Sequence, residues 1–453
     1  MPMRDRARWA FAILFSVALL SAPAIWNRFP LLQYDTGGYL ARWYEPYLVP
    51  SRAVVYGLIL NAGAALSFWP VVLAQSALTV WVIALILRVH GLGGRPRLLA
   101  GIVAALSVFS TLPWLTSILL TDIFAGLAVL ALYLLLLRAD ELSRREQFGL
   151  IALIAVSVAT HSATFAVLLM LLSGAALLSL VDQRRLPRGR LFSGALAIGL
   201  GAALVFAANF TVTKRLVWTP GGFALSFGRM LQDGIVKKYL DEHCPRARLV
   251  LCAYKDELPR DADEWFWGSP LFDKLGRFAG LDHEMEQIAL ASLAEYPLLQ
   301  IKTAAVATAR QLIDVRTGEG VVNSIWHTYA IIERYRPALL PEMRAARQQR
   351  GEIDFTIINR VQYPVALACL LLLPLIGGFM LRRKDMNDIG ELAAFCLLAL
   401  LANAFICGTL SNPHDRYGAR LIWLAVAVTA LAVLRLYEAR ERLRSHGIVA
   451  SPR

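Results

Sequence analysis

The feature that most limits how this chain can fold is a series of apolar runs, most of them about twenty residues long, in both ends of the sequence. A run of that length crosses a hydrocarbon layer as a helix, because only a helix satisfies its own backbone there. The runs are 9–26, 70–88, 98–115, 122–138, 146–160, 163–181, 191–209, 361–381, 389–409 and 418–436. They predict an all-α integral membrane protein with about ten transmembrane helices. The run 146–160 is short for a crossing. The stretch 53–69 is broken by Gly57, Asn61 and Gly63 and reads as an interfacial or re-entrant helix. Hydrophobic residues make up 57% of the chain and charged residues 17%, where a soluble protein carries roughly a quarter charged. A single core cannot hide that much apolar surface. A soluble enzyme, a disordered regulator and a fibrous protein are therefore excluded.

The net charge is +13, and its placement matters more than its size. Residues 210–360 hold 20 Lys+Arg against 19 Asp+Glu, so the excess lies in the two apolar parts. There it sits in alternate loops. Arg4, Arg6 and Arg8 precede the first run, and Arg88, Arg95 and Arg97 follow the second. Further sets are Arg138, Arg144 and Arg145, then Arg184, Arg185, Arg188 and Arg190, then Arg382, Arg383 and Lys384, then Arg440, Arg442 and Arg444. Basic loops stay on the cytoplasmic side, which puts both termini there and residues 210–360 outside. No basic face on a folded domain suggests nucleic acid. The start also resembles a signal peptide, with Ala22-Pro23-Ala24 as a cleavage site, but its length and orientation favour an uncleaved anchor.

Three regions follow. Residues 1–209 form a module of about seven helices with a first outer loop, 27–69. Residues 210–360 form a mainly helical extracytoplasmic domain, with helical spacing near 284–296 and 298–313 on either side of Pro297. Residues 361–453 add about three helices. Cys244 and Cys252 lie in the outer domain and are either paired or two free thiols. A zinc site with His243 lacks a second ligand pair. Cys369, Cys396 and Cys407 fall in apolar runs and read as packing residues.

Sorting ionisable residues by side leaves a short set at the outer mouths of helices. Asp35, in LLQYDTGGYLARWY, has the burial that raises a carboxylate's pKa and makes it a base, and its glycines allow close backbone approach. Its plain alternative is a cap for the helix that follows. Asp122, in SILLTDIFAGL, stands at a helix start, where a cap is again the simpler role. His161, in VATHSATFAV, sits at a polar turn suited to a phosphate or a sugar hydroxyl. The loop LSNPHDRYGARLIW concentrates His414, Asp415, Arg416, Tyr417 and Arg420. Two arginines on the side that topology disfavours argue for use, with Arg416 forking a phosphate; the alternative is an Asp415–Arg416 ion pair. Trp265 and Trp267 suit sugar stacking or, better, an interfacial aromatic belt. No charge lies near the middle of any predicted helix, which speaks against a transporter or channel.

In layout and in the motifs YDTGGYL, LLTDIFAGL, THSATF and PHDRYGARL, the chain resembles the GT-C glycosyltransferases. These are polytopic membrane enzymes that take a sugar from a polyprenyl-phosphate carrier, such as protein O-mannosyltransferases and lipid A aminoarabinose transferases. The resemblance implies a GT-C-like fold. It implies Asp35 as the base on an acceptor hydroxyl and Asp122 as a positioning group. It gives Arg416 the carrier phosphate; His161, His414, Asp415, Tyr417 and Arg420, read from their place at the helix mouths, complete the expected substrate- and phosphate-binding set. Its partners would be a polyprenyl-phosphate-linked sugar donor, a lipid or glycan acceptor and membrane lipids; the compact loops and Arg-rich turns suggest a bacterial inner membrane. Some relatives use a divalent metal on paired acids. Here Thr36 follows Asp35, and no metal ligand set is assigned. Competing readings are a ligase or polymerase of lipid-linked glycans, or a non-enzymatic flippase or envelope assembly protein.

Overall fold

The computed structural model describes residues 3–244 and 246–447. Regular structure among the described residues is helical; only two isolated bridges occur, Leu31 with Ile118 and Val49 with Arg52. The chain opens with α1 (Met3–Asn27). The first outer loop carries α2 (Thr36–Ala41) and α3 (Val54–Gly63). Then come α4 (Trp69–Leu87), α5 (Pro96–Phe109), the short α6 (Leu112–Ser117), α7 (Asp122–Leu137), α8 (Arg144–Thr160), α9 (Ser162–Val181) and α10 (Arg188–Thr213). Residues 214–354 hold α11 (Ala224–Gln232), α12 (Ile235–His243), α13 (Pro270–Lys274), α14 (Arg277–Glu295), α15 (Pro297–Ile313), α16 (Trp326–Tyr335) and α17 (Leu340–Ala345). The last helices are α18 (Phe355–Met380), α19 (Asn387–Leu410) and α20 (Asp415–Gly447).

Among the described residues, seven helices are long and apolar enough to cross a membrane: Arg4–Asn27, Trp69–Leu92, Ser162–Val181, Arg188–Thr213, Phe355–Met380, Asn387–Leu410 and Asp415–Arg442. The other three expected crossings form shorter helices. The run 98–115 breaks at Ser110, whose hydroxyl donates back to the Leu106 carbonyl at 2.6 Å; the chain restarts as α6 with Pro113 in its first turn. The run 146–160 becomes α8, opened by a capping box of Ser143 and Glu146. The run 122–138 becomes α7, in which every residue from Asp122 to Leu136 is buried. That burial makes α7 the central post of the bundle, packed by α4, α8, α10 and α20. Gly126 admits the Trp423 indole, since a Cβ there would stand 2.7 Å from the ring. The broken stretch 53–69 forms α3 and a last turn through Leu66.

At the end of the bundle away from the first outer loop, ion pairs tie helices together. Arg88 forks Glu146 at 2.7 and 2.8 Å, Arg138 meets Glu391 at 2.7 Å, and Arg435 meets Asp388 at 2.8 Å. The basic loops predicted from the sequence thus gather there with acidic partners.

The outer region has its own apolar core, built from Phe227, Ile235, Leu240, Phe272 and Met285 around Trp265. Trp265 is wholly buried in it, so it faces neither a sugar nor a membrane surface; Trp267 is exposed. Cys244 and Cys252 form a disulfide beside this core. The two helices expected on either side of Pro297 are α14 and α15. However, α15 does not stay within the outer core: it packs against α19 of the last module, where Gly408 fits under the Ala307 carbonyl.

Candidate functional site

Backbone pairing between two distant loops starts the site. After α1, Leu31 accepts from Leu119 at 2.9 Å and donates to Ser117 at 3.0 Å, which ties the first outer loop to the segment that leads into α7. Gln75 of α4 donates to the Thr116 and Ile118 carbonyls, and Thr36 donates to the Leu119 carbonyl at 3.1 Å. Asp35 and Asp122 are thereby brought to one place. Tyr39 of α2, Tyr56 of α3 and Phe124 of α7 stack edge-on beneath them, with centroids 5.3 and 6.3 Å apart, and fix the three helices against one another.

Arg416 closes the arrangement from the far end of the chain. Its Nη1 donates to Asp35 Oδ2 at 2.5 Å and its Nε donates to Asp122 Oδ2 at 2.7 Å. One guanidinium thus clasps both predicted acids across a sequence distance of 381 residues in the case of Asp35. Arg52 donates to the other Asp35 oxygen. The pairs are mostly shielded from water: the side chains of Arg416, Asp35 and Asp122 are 12%, 17% and 4% exposed.

This overturns three expectations. Asp35 occupies the N-cap position of α2 but makes no side-chain cap; its oxygens face the arginines. Burial alone would raise its pKa, as expected from the sequence. Arg52 and Arg416 outweigh burial and hold the carboxyl down to about 2. Its glycines serve the fold: a Cβ on Gly37 would lie 2.5 Å from Thr328 Cα, so Gly37 lets α16 approach, and Thr328 then accepts from the Gly37 N–H at 3.0 Å. Asp122 is not a cap either. Thr121 precedes the helix, and Asp122 opens α7, where a helix N-terminus favours negative charge. Its Oδ1 is buried without a hydrogen-bond partner, a free acceptor beside the ion pairs.

Arg420 lies one turn below Arg416 and is wholly buried. Its Nε and Nη2 donate to Asn403 Oδ1 at 2.9 and 2.6 Å, and its Nη1 donates to His161 Nδ1 at 3.3 Å. Among the described residues it has no carboxylate within ion-pair reach. A guanidinium can only donate, so His161 accepts at Nδ1 and keeps its proton on Nε2. Burial, and then Arg420, Arg416 and Arg52, hold the His161 pKa well below the usual range, so the ring is neutral.

The rest of the late loop faces elsewhere. Asp415 does not pair with Arg416; it accepts from the Arg316 backbone at 2.7 Å. His414 stands between Glu319 (Nδ1 to Oε1, 2.7 Å) and Asp263 (Nε2 to Oδ2, 3.2 Å). Glu319 also accepts from the Arg416 N–H at 2.6 Å. Tyr417 lies edge-on to His414, and its carbonyl accepts from Asn403. Burial would lower the His414 pKa, but the two carboxylates outweigh it and push it up to about 10. A raised folded-state pKa stabilises fully below the ordinary value of 6.5 and loses that contribution as pH rises toward about 10. The thermal midpoint is therefore expected to fall across that window, and to fall less in His414→Gln. Parallel curves for the two proteins would deny His414 this role.

Arg52, which pairs with Asp35, also lines a small cleft together with His161, Val54, Val158, Val205 and Trp218 among others. It joins Arg52 and the neutral His161 to apolar side chains from α3, α8 and α10. Sequence reasoning missed Arg52, Glu319 and Asp263. Arg52 carried the signal that singled out Arg416, an arginine in an outer loop. The two acids carried none, because they lie in a region of even charge.

No three His, Cys, Asp or Glu side chains converge to hold a metal ion among the described residues. Asp35 and Asp122 share a guanidinium instead. Comparison of the chain with family models, curated proteins and solved structures finds no match.

Proposed function

We propose that this chain is a GT-C-like membrane glycosyltransferase that moves a sugar from a polyprenyl-phosphate carrier to a hydroxyl of a lipid or cell-envelope glycan. In this reading about ten helices cross a bacterial inner membrane, the termini are cytoplasmic, and the site opens on the outer face. The Cys244–Cys252 disulfide fits an oxidising outer compartment. The observation that carries the reading is the meeting of Asp35, Asp122, Arg416 and Arg52, with Arg52 also lining a cleft that has apolar side chains such as Val54, Val158 and Val205. A lipid phosphate needs both cations and an apolar lining, and the acceptor needs a carboxylate.

The chemistry then runs as follows. The acceptor oxygen bonds to the anomeric carbon, the bond from that carbon to the phosphate oxygen breaks, and the electron pair leaves on the phosphate. The acceptor proton goes to Asp35. A carboxylate held at about 2 is a weak base. The donor removes that obstacle: a phosphate that recruits Arg52 and Arg416 takes from Asp35 the cations that depress it. Basicity appears only once donor is bound. Arg420 adds positive charge behind His161 for the departing phosphate. The free Oδ1 of Asp122 orients the acceptor hydroxyl.

The test uses the purified protein in detergent. A long-chain prenyl phosphate is expected to raise the thermal midpoint, and the prenyl alcohol of equal length is not. At a hundredfold excess over Kd, the stabilisation is about 2.7 kcal/mol. Arg52→Met should lose most of the shift. Equal shifts from phosphate and alcohol would defeat the phosphate reading.

A further inference from the structure

The helix α15 belongs by sequence to the outer region, yet it carries an exposed apolar stripe along its length. Its outward residues are Leu298 at 81%, Ile301 at 67%, Val306 at 61% and Ile313 at 50% exposure, with Ala305 and Ala309 between them. Their spacing follows a helix period, so they form one stripe along the full length of α15. Water is an unfavourable neighbour for such a stripe, and isolated apolar side chains do not explain it. The opposite face is spoken for. Ala307 packs over Gly408 of α19, and Gln311 donates to the His414 carbonyl at 2.8 Å while its own oxygen accepts from the His414 N–H at 3.0 Å.

These contacts place α15 beside the end of a helix that is long and apolar enough to cross a membrane, at the depth of the α19–α20 loop. On α19, Leu401 and Gly408 stand seven residues apart, two turns on one side of the helix. Leu398, Leu401 and Phe405 are exposed there. The apolar stripe of α15 thus continues the exposed face of α19. Lys302, on the stripe itself, is long enough to carry its charge to a headgroup while its stem lies along the apolar surface, and Arg310 pairs with Asp314 at 3.3 Å at the end of the helix.

We infer that α15 is embedded in the bilayer leaflet on the site's side, with lipid chains covering Leu298, Ile301, Val306 and Ile313. The outer region is then not a domain standing clear of the membrane. It is held by α15 as well as by the helices α10 and α18 that flank it, and the Gln311–His414 pairing fastens the arginine loop to a lipid-held helix.

A photoreactive amino acid placed singly at Ile301 or Val306 tests this in intact membranes. Leu371 of α18, 73% exposed, serves as the lipid-facing reference, and Glu257 in the outer region as the water-facing one. The expected result is lipid adducts at Ile301 and Val306, as at Leu371, and none at Glu257. A cross-link to a second copy or to another protein overturns the inference. So does an adduct-free Ile301 when Leu371 gives its adduct.

Discussion

Asp35→Asn is expected to slow transfer by ~10²–10⁴-fold, the usual cost of losing a general base, while leaving membrane insertion intact. Its effect on the donor is more telling than its effect on rate. As it stands, Asp35 competes with any phosphate for Arg52 and Arg416. Removing its charge frees both guanidiniums, so the Asn variant should bind prenyl phosphate more tightly than the wild type. Turnover and affinity thus move in opposite directions. Proteoliposome assays with a prenyl-phosphate sugar, with binding followed separately by thermal shift, read both. Near-normal turnover would remove Asp35 from the chemistry. Weaker donor binding would mean that Asp35 builds the phosphate site instead of blocking it.

The helical character of the chain and its apolar crossings were legible because periodicity and run length are local properties. Seven runs became long apolar helices, and α7, α8 and α5 did not. The sequence has no mark that separates a helix in contact with lipid from one, such as α7, surrounded by other helices. Both are uniformly apolar. The site residues stood out as polar groups at helix mouths: Asp35 and Asp122 meet on Arg416, and His161 pairs separately with Arg420 one turn away. The electrostatics were not legible. Burial alone favours a raised pKa at Asp35, and the sign is reversed by a cation from the other end of the chain and by Arg52. Partners at such separations leave no local pattern. The same holds for His414, whose role depends on Asp263 and Glu319 in loops of unremarkable composition. The stripe on α15 was visible as helical spacing, but its direction depends on which face α19 occupies.

Arg416 offers the largest effect on stability. Arg416→Met keeps much of the side-chain volume and removes the cation that two shielded carboxylates share. Breaking a buried pair from one side costs about 3–5 kcal/mol, because it leaves charge without compensation. Here Asp122, at 4% exposure, is left with no other ion pair, while Asp35 keeps Arg52. The deficit should therefore sit mainly on Asp122, and Asp122→Asn in the Met background should recover a good part of it. The pH dependence gives an independent check. In the wild type, the depressed Asp35 stabilises above its ordinary value of 3.8 and loses that contribution as pH falls toward about 2. The Met variant lacks much of this, so the gap between the two proteins should narrow as pH falls through the carboxylate range. Arg416→Lys separates fold from function. One ammonium carries the charge but cannot reach both acids as Nη1 and Nε do, so it should keep more stability than Met and still weaken donor use. Thermal midpoints of the four proteins across pH decide the matter. A Met variant as stable as the wild type, with no gap to close at low pH, would mean that water and Arg52 already compensate these acids and that Arg416 is held in reserve for the substrate.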